Sequence, residues 1–255
     1  MYSEFELDLT DALRRELPLV LDALDGTPLT QANVSGVPQT QGVYMLLEGS
    51  TPMYVGKTDA AHGFQDRLKR HCFTLSARKN IDLANVFYKA VRVMVFTTVN
   101  VEAMLIERYI DANPMAWQNS GFGSNDPGHR RELQDPSKFD IDHPINIRLP
   151  VDFVPPGSYT ALELLLRLKH HLPYDLRYQT DPAPGGKSHH FKTGHADQRD
   201  TTVHVPSANL PVRDLLELVV NALPHGWVVT VFPGRVILYK EPTSYRFQLE
   251  RLVRS

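Results

Sequence analysis

The chain has 255 residues, of which 42% are hydrophobic and 22% are charged, and its formal net charge at pH 7 is -2. This composition is ordinary for a globular protein and excludes a fibrous or wholly disordered chain. Because acidic and basic residues nearly cancel, any surface for a polyanion must come from the local distribution of Lys and Arg.

Cysteine usage and the N-terminal sequence bear on the cellular compartment. Cys72 is the one cysteine, so an internal disulfide and a cysteine-based zinc site are both excluded. The first residues are acidic and amphipathic and lack the basic and apolar regions of a secretory signal. No apolar run reaches membrane-spanning length. These features predict a cytoplasmic protein that does not contact a membrane.

The N-terminal elements are predicted from hydrophobic spacing. Residues 3–16 place Phe5, Leu9 and Leu13 on one face of a helix, which is expected to cover a sheet. Residues 18–38 are rich in Pro, Thr and Asn, and this composition predicts an irregular approach to the first strand.

The segment 42–71 begins with a predicted hairpin. Two short apolar runs, 43–47 and 53–55, flank five residues that include Gly and Pro and favour a turn. The paired strands carry Tyr44 and Tyr54.

A basic helix is predicted after this hairpin. Between residues 64 and 75 the apolar side chains recur at the spacing of one helical face. Arg67, Arg70 and His71 share another face. The local design is therefore a hairpin followed by a helix with basic side chains.

A third strand and a second helix are predicted next. Residues 85–98 are rich in Val, Phe and Tyr, which favours a strand of an antiparallel sheet. Asn100 is the predicted N-cap of a helix over 101–112. This helix carries Glu102, in the first turn where a carboxylate favours the exposed backbone N–H groups, and Glu107.

Several of these motifs, taken in order, resemble the GIY-YIG nuclease superfamily. The tripeptides GVY and YVG are followed by Arg67 and His71, and VEAMLIERYIDANPMAWQN then supplies Glu107 and, 12 positions later, Asn119. This pair looks like the metal-binding glutamate of the family and its trailing asparagine. The sequence GFGSNDPGHRR that follows resembles the type II restriction endonuclease branch whose members cut CCGCGG.

The resemblance implies which residues form the catalytic site. Glu107 would hold one divalent ion, Mg²⁺ with Mn²⁺ as a substitute, and Arg67 would bind the phosphate. Tyr44 is the candidate that activates water, which requires its pKa to fall from about 10, while Lys57 and His71 remain alternatives. The full predicted set is Tyr44, Tyr54, Lys57, Arg67, His71, Glu107 and Asn119.

Contacts with DNA are predicted in two segments. The first segment follows the basic helix. Its charged side chains are predicted with equal weight either to face the phosphate backbone of DNA or to be exposed to solvent. The second lies in the polar loop 120–136, which contains Gly and Pro and which the resemblance associates with DNA, a linker being the alternative. The predicted DNA-binding residues are Arg78, Lys79, Ser124, Asn125, Arg130 and Arg131.

The Pro-rich segment 139–156 predicts a boundary between a GIY-YIG domain of residues 1–150 and a C-terminal module of residues 157–255. In the module, helices over 160–171 and 212–222 are each followed by Leu-Pro and a strand. This pattern predicts a small α+β module with a weak internal repeat.

The sequence therefore predicts an α+β protein in which the resemblance implies a small antiparallel sheet flanked by helices. The predicted function is that of a Mg²⁺-dependent type II restriction endonuclease that cuts double-stranded DNA, with CCGCGG implied by resemblance alone. Cutting both strands of a palindrome is simplest for a homodimer, at least on DNA. The alternatives are a structure-specific or homing-type GIY-YIG nuclease and a DNA-binding protein that has lost activity.

Overall fold

The computed structural model describes residues 2–4, 8–59, 61–94, 100–112, 114–123, 133–182 and 191–254. By their contacts the residues group into two compact units, one of residues 1–76 and 81–123 and one of residues 77–80 and 124–255. This division differs from the predicted boundary because Ile145 and Ile147 are buried in the core of the second unit.

Helix α1 (Leu9–Ala23) begins the first unit. The Asp8 side chain caps it by accepting a hydrogen bond from the Asp11 N–H. The prediction of a helix over 3–16 ends too early, because α1 continues through Pro18. A proline inside a helix removes one backbone hydrogen bond, and here the buried Leu17 and Leu21 on either side of it keep this turn packed against the core.

An antiparallel sheet lies at the centre of the first unit, and its described strands follow the order β1-β4-β2-β3. The predicted hairpin is present as β2 and β3, and Gly49 takes a left-handed conformation in its turn. The register pairs Tyr44 with Gly56 and Leu46 with Tyr54. Because paired residues point to the same face, both tyrosines lie on one side of the sheet. The strands are β1 (Thr27–Pro28), β2 (Gly42–Glu48), β3 (Thr51–Thr58) and β4 (Val86–Arg92).

Helices complete the first unit on both sides of this sheet. Val43, Met45 and Val55 form a core with α1 and α4 (Val101–Ile110), on the face away from the tyrosines. Asn100 caps α4 as predicted by accepting from the Ala103 N–H. Helices α2 (Gln31–Ser35) and α3 (Phe64–Ser76) pack on each other, and α3 brings His71 to the tyrosine face.

The second unit contains the two predicted helix-Leu-Pro-strand segments. Each helix also follows a strand, which gives β5-α6-β6 and β7-α8-β8, and β5 pairs antiparallel with β7. Its other described strands form a sheet in the order β10-β8-β9-β6. The elements are β5 (Gly157–Thr160), α6 (Ala161–His171), β6 (Asp175–Tyr178), α7 (Ala196–Asp200), β7 (Thr202–Val205), α8 (Val212–Ala222), β8 (Val228–Val231), β9 (Arg235–Tyr239) and β10 (Glu250–Val253).

The segment 139–156 is more ordered than predicted. It includes most of a short helix, α5 (Lys138–Asp142), which Ser137 caps. The Ile145 N–H donates to the Pro233 carbonyl, and the Asn146 N–H donates to the Ala77 carbonyl. These backbone bonds tie the segment into the second unit. None of the helices in the described part of the chain is long and apolar enough to cross a membrane.

Candidate active site

Three of the predicted catalytic side chains meet on one face of the sheet in the first unit. The Tyr44 hydroxyl lies 2.8 Å from His71 Nε2. The ring centroids of Tyr44 and Tyr54 are 6.1 Å apart, and that of Tyr54 is 5.6 Å from the imidazole of His71. Residues that are separated in the chain thus form one cluster of two phenols and an imidazole.

Glycine is required beside this cluster for steric reasons. A Cβ atom on Gly56 would lie 2.4 Å from the Tyr44 hydroxyl and 2.8 Å from Tyr54 Cε1. Both distances are far below van der Waals contact. A Cβ on Gly42 would lie 2.2 Å from the Val91 carbonyl oxygen. The glycines of both tripeptides therefore permit close approach, and Gly56 does so against the phenols themselves.

The pKa of Tyr44 is raised, whereas its predicted role as the base requires this pKa to fall, and the pKa of Tyr54 is raised as well. Burial raises the pKa of Tyr44, and the nearby Tyr54 and Glu102 add to this effect, while Arg67 opposes it. Burial also raises the pKa of Tyr54, followed by the charge of Glu102. In the absence of substrate Tyr44 is therefore protonated at neutral pH, and it needs a proton acceptor to act as a base.

His71 is the group positioned to be that acceptor. Its side chain is buried, and this burial, followed by the positive charges of Arg70 and Arg67, lowers the pKa of His71 to about 3. The imidazole is consequently neutral over the physiological range. A neutral imidazole has one ring nitrogen that accepts a hydrogen bond, and Nε2 is the nitrogen that faces Tyr44.

Arg67 supplies an unsatisfied donor next to the phenols. Its Nε atom is buried and forms no hydrogen bond with any described residue. A buried polar group without a partner is costly, so such a group in a native fold points to a missing ligand or water. The aromatic rings around Arg67 offer few hydrogen-bond acceptors, so its guanidinium is well suited to bind an oxyanion.

The two glutamates of α4 have different surroundings. Glu102 is partly buried, with 24% of its side chain exposed, and its Oε2 lies 3.6 Å from Lys57 Nζ. Glu107 is exposed and forms no ion pair with any described residue. Glu102, whose carboxylate the sequence predicts to favour the helix N-terminus, raises the pKa of both phenols through its charge. Lys57 turns toward α4, where its Nζ also lies 3.4 Å from Asn100 Oδ1.

A turn that follows α4 is attached to the outer edge of β3. The Trp117 N–H donates to the Met53 carbonyl, and the Val55 N–H donates to Gln118 Oε1. Asn119 comes next, exposed and in a left-handed conformation with φ of 56°. Asn is one of the few residues that adopt this conformation readily.

Phe122 lies at the site although it is not among the residues predicted from the sequence. Its ring stacks on the His71 imidazole with centroids 4.8 Å apart and meets Tyr54 edge to face at 5.1 Å. An aromatic residue between two glycines in a polar loop is the signal that marks this position in the sequence. That signal does not say which side chain the ring contacts.

The comparison with known families agrees with this geometry. A family model described as the Eco29kI GIY-YIG domain matches residues 45–171. The chain belongs to the Eco29kI GIY-YIG family. This is a family of type II restriction endonucleases, and the resemblance stated from the sequence is confirmed. The match begins one residue after Tyr44 and includes the other predicted catalytic residues. No curated protein matches the chain.

The residues predicted to contact DNA in this GIY-YIG nuclease have different surroundings. Lys79 is exposed. The Arg78 side chain is only 8% exposed and pairs with Asp140 at 2.6 Å. It also donates to the His143 carbonyl. The structure thus gives Arg78 a structural role in place of the predicted DNA contact, because its guanidinium is already bound within the second unit. Ser124, Asn125, Arg130 and Arg131 lie outside the described residues.

The donor atoms of the described residues limit the kind of metal site that this GIY-YIG protein can form. Within the described ranges, no three His, Cys, Asp or Glu side chains are grouped closely enough to hold a metal ion. A site made by several protein ligands is therefore not formed there. A hard cation that keeps water ligands and takes substrate oxygens needs only one or two carboxylates. Glu107 presents one exposed carboxylate of this type and forms no hydrogen bond or ion pair with the described residues of the tyrosine cluster, whereas Glu102 already has the Lys57 ammonium beside it.

Proposed function

We propose that the protein is a Mg²⁺-dependent type II restriction endonuclease that hydrolyses both strands of double-stranded DNA at a short specific sequence. The observation that carries the proposal is the buried, unpaired Nε of Arg67 next to two phenols and a neutral imidazole, in a chain of this nuclease family. CCGCGG, the target of the branch that the sequence resembles, is the first sequence to test.

Arg67 is the proposed phosphate ligand. Its guanidinium is permanently charged and can form two parallel hydrogen bonds with phosphate oxygens. Arg70, on the same helix, adds a second positive charge that already acts on Tyr54 and His71. In a partly buried site such charges stabilise the extra negative charge of the transition state more strongly than they would in water.

Tyr44 and His71 are the proposed path for the proton of the attacking water. The phenol oxygen would take the proton from water as its own proton passes to His71 Nε2 over the 2.8 Å hydrogen bond. The positive charges of Arg67 and Arg70 disfavour protonation of His71 in the free protein. A bound phosphate offsets these charges, so substrate binding itself makes the imidazole a stronger base.

Glu107 is the proposed ligand for the divalent ion. It presents an exposed carboxylate on α4, a ligand type that Mg²⁺ and Mn²⁺ prefer. When bound, such an ion stabilises the negative charge on the leaving 3′ oxygen. Asn119 and Tyr54 are proposed to orient water and phosphate through their polar groups, and Lys57 keeps its place beside Glu102.

Digestion of a sequenced genome tests the proposal directly. Purified protein with Mg²⁺ should give discrete, reproducible fragments whose sequenced ends share one short palindrome. Nicks or a continuous ladder would instead indicate a structure-specific or homing-type nuclease. Binding of DNA without any cleavage would indicate a protein that has kept the fold and lost activity.

The two glutamates of α4 provide a matched pair of variants. Glu107→Gln should lower the cleavage rate at least about 100-fold, because loss of the metal ligand removes several kcal/mol of transition-state stabilisation. Glu102→Gln should stay within about tenfold of the wild type. Both variants should retain DNA binding in EDTA. If Glu102→Gln lost activity and Glu107→Gln did not, Glu102 would be assigned as the metal ligand in place of Glu107.

A further inference from the structure

Phe122 covers one side of the proposed proton acceptor. The Phe122 and His71 rings are nearly parallel, with an interplanar angle of 26° and centroids 4.8 Å apart. Phe122 is 6% exposed and His71 is 5% exposed. The edge of Tyr54 and the ring of Trp117 close around the same phenylalanine. The imidazole is thus held between aromatic surfaces.

The backbone of the turn is held by contacts that do not involve the Phe122 side chain. The Trp117 N–H donates to the Met53 carbonyl at 3.1 Å, and Gln118 Oε1 accepts from the Val55 N–H at 2.9 Å. The Ser120 hydroxyl donates to the Trp117 carbonyl at 2.7 Å. Because β3 itself holds the turn, a change at position 122 is expected to alter the cover over His71 before it alters the fold.

The groups that face His71 come from several elements. Tyr44 on β2 and Tyr54 on β3 contact the imidazole, and Arg67 and Arg70 of α3 act on it through their charges. The turn of residues 115–123 contains no ionisable side chain. The turn therefore faces His71 with the uncharged ring of Phe122.

We propose that Phe122 is a positioning residue for His71: its ring excludes water from the imidazole and keeps Nε2 directed at the Tyr44 hydroxyl, so that a neutral imidazole is available to accept the proton. The role of His71 as proton acceptor rests on the proposed nuclease function. The cover of the His71 imidazole by the Phe122 ring rests on the ring geometry alone. A buried phenylalanine that only filled the core would stabilise the fold without controlling how His71 titrates.

The test is an NMR titration of the histidine Cε1–H signals in the protein without DNA or metal. His71→Gln identifies the His71 signal among the 11 histidines. In the wild type this signal should not move between pH 5 and pH 8, since burial lowers the pKa of His71 to about 3. In Phe122→Ala, water reaches the ring, and the midpoint should rise into the range between about 5 and the unperturbed value of about 6.5.

Phe122→Leu is the matched control, because leucine keeps an apolar cover and should leave His71 silent over the same pH range. If Phe122→Ala does not fold, Phe122→Gln replaces it, since glutamine has a similar size to leucine but admits a polar group. A wild-type His71 that titrates near 6.5, or a His71 that stays silent in every variant, would overturn the proposal. Since the titration uses no DNA, its result is independent of whether the protein cleaves.

Discussion

At the scale of single residues, the site depends on what each side chain is buried against. A histidine in water has a pKa of about 6.5, but burial beside two arginines lowers the pKa of His71 to about 3. Burial raises the pKa of Tyr44 at the same time. The two shifts leave both groups uncharged at neutral pH, with the hydrogen bond between them intact.

Gly56→Ala tests the steric requirement at this scale. The added methyl group would displace the Tyr44 hydroxyl, which sits 2.4 Å from the position of the new atom. A displacement of about 1 Å in a catalytic group can cost about 100-fold in rate. We therefore expect at least that loss in a cleavage assay under single-turnover conditions.

Gly36→Ala is the control for this substitution. Its Cβ would meet the Asn33 carbonyl oxygen at 3.5 Å, an ordinary contact, and the backbone there has φ of -84°. This variant should cleave like the wild type. Equal rates for Gly56→Ala and Gly36→Ala would show that the close approach of Gly56 to the phenols is not needed for activity.

At the scale of elements, short segments are held by long-range contacts. Helix α5 has five residues, too few for a stable isolated helix. Arg78 anchors it with an ion pair to Asp140, a hydrogen bond to the His143 carbonyl and its guanidinium 5.2 Å from the centroid of the Phe139 ring. An arginine that composition alone would assign to a DNA surface here organises the second unit.

Arg78→Gln should destabilise the second unit by about 1–3 kcal/mol, because the charged hydrogen bonds of a buried guanidinium to partly buried partners are lost. Urea unfolding can be followed by the indole N–H signal of Trp227, which lies in this unit. Lys79→Gln, at the exposed neighbouring position, should change the free energy of unfolding by no more than about 0.5 kcal/mol. Equal stabilities for the two variants would contradict the anchoring role of Arg78.

At the scale of the whole molecule, the family match and the compact units divide the chain differently. The match covers residues 45–171, which include parts of both units. The second unit continues beyond it with β7, α8 and the strands of its sheet, which complete the repeated strand-helix-strand arrangement. The described residues beyond 171 thus form a folded region that the family match does not include.

The predicted homodimer is tested at this scale by analytical ultracentrifugation. The protein is mixed with a duplex that carries the sequence found by genome digestion, with EDTA present to prevent cleavage. Two protomers of 28.9 kDa should bind each duplex, because two-fold symmetry matches the two strands of a palindrome. A duplex of unrelated sequence is the control. One protomer per cognate duplex would contradict the dimer.

The local elements and the order of the motifs can be predicted from the sequence. The hairpin, α3, α4 and the two helix-Leu-Pro-strand segments follow from hydrophobic spacing and from Gly, Pro and Asn at their ends. These signals act over a few residues, so they can be read along the chain. The same is true of the tripeptides, the arginine and the glutamate with its asparagine, which indicated the family.

The environment of each group depends on contacts between distant parts of the chain. Tyr44 and His71 are 27 positions apart, and Phe122 lies farther still along the chain, yet all three meet. The direction of the phenol pKa shifts, the cover over His71 and the burial of Arg78 arise from such contacts. Burial and charge depend on distances in space, and no local pattern in a single sequence specifies them.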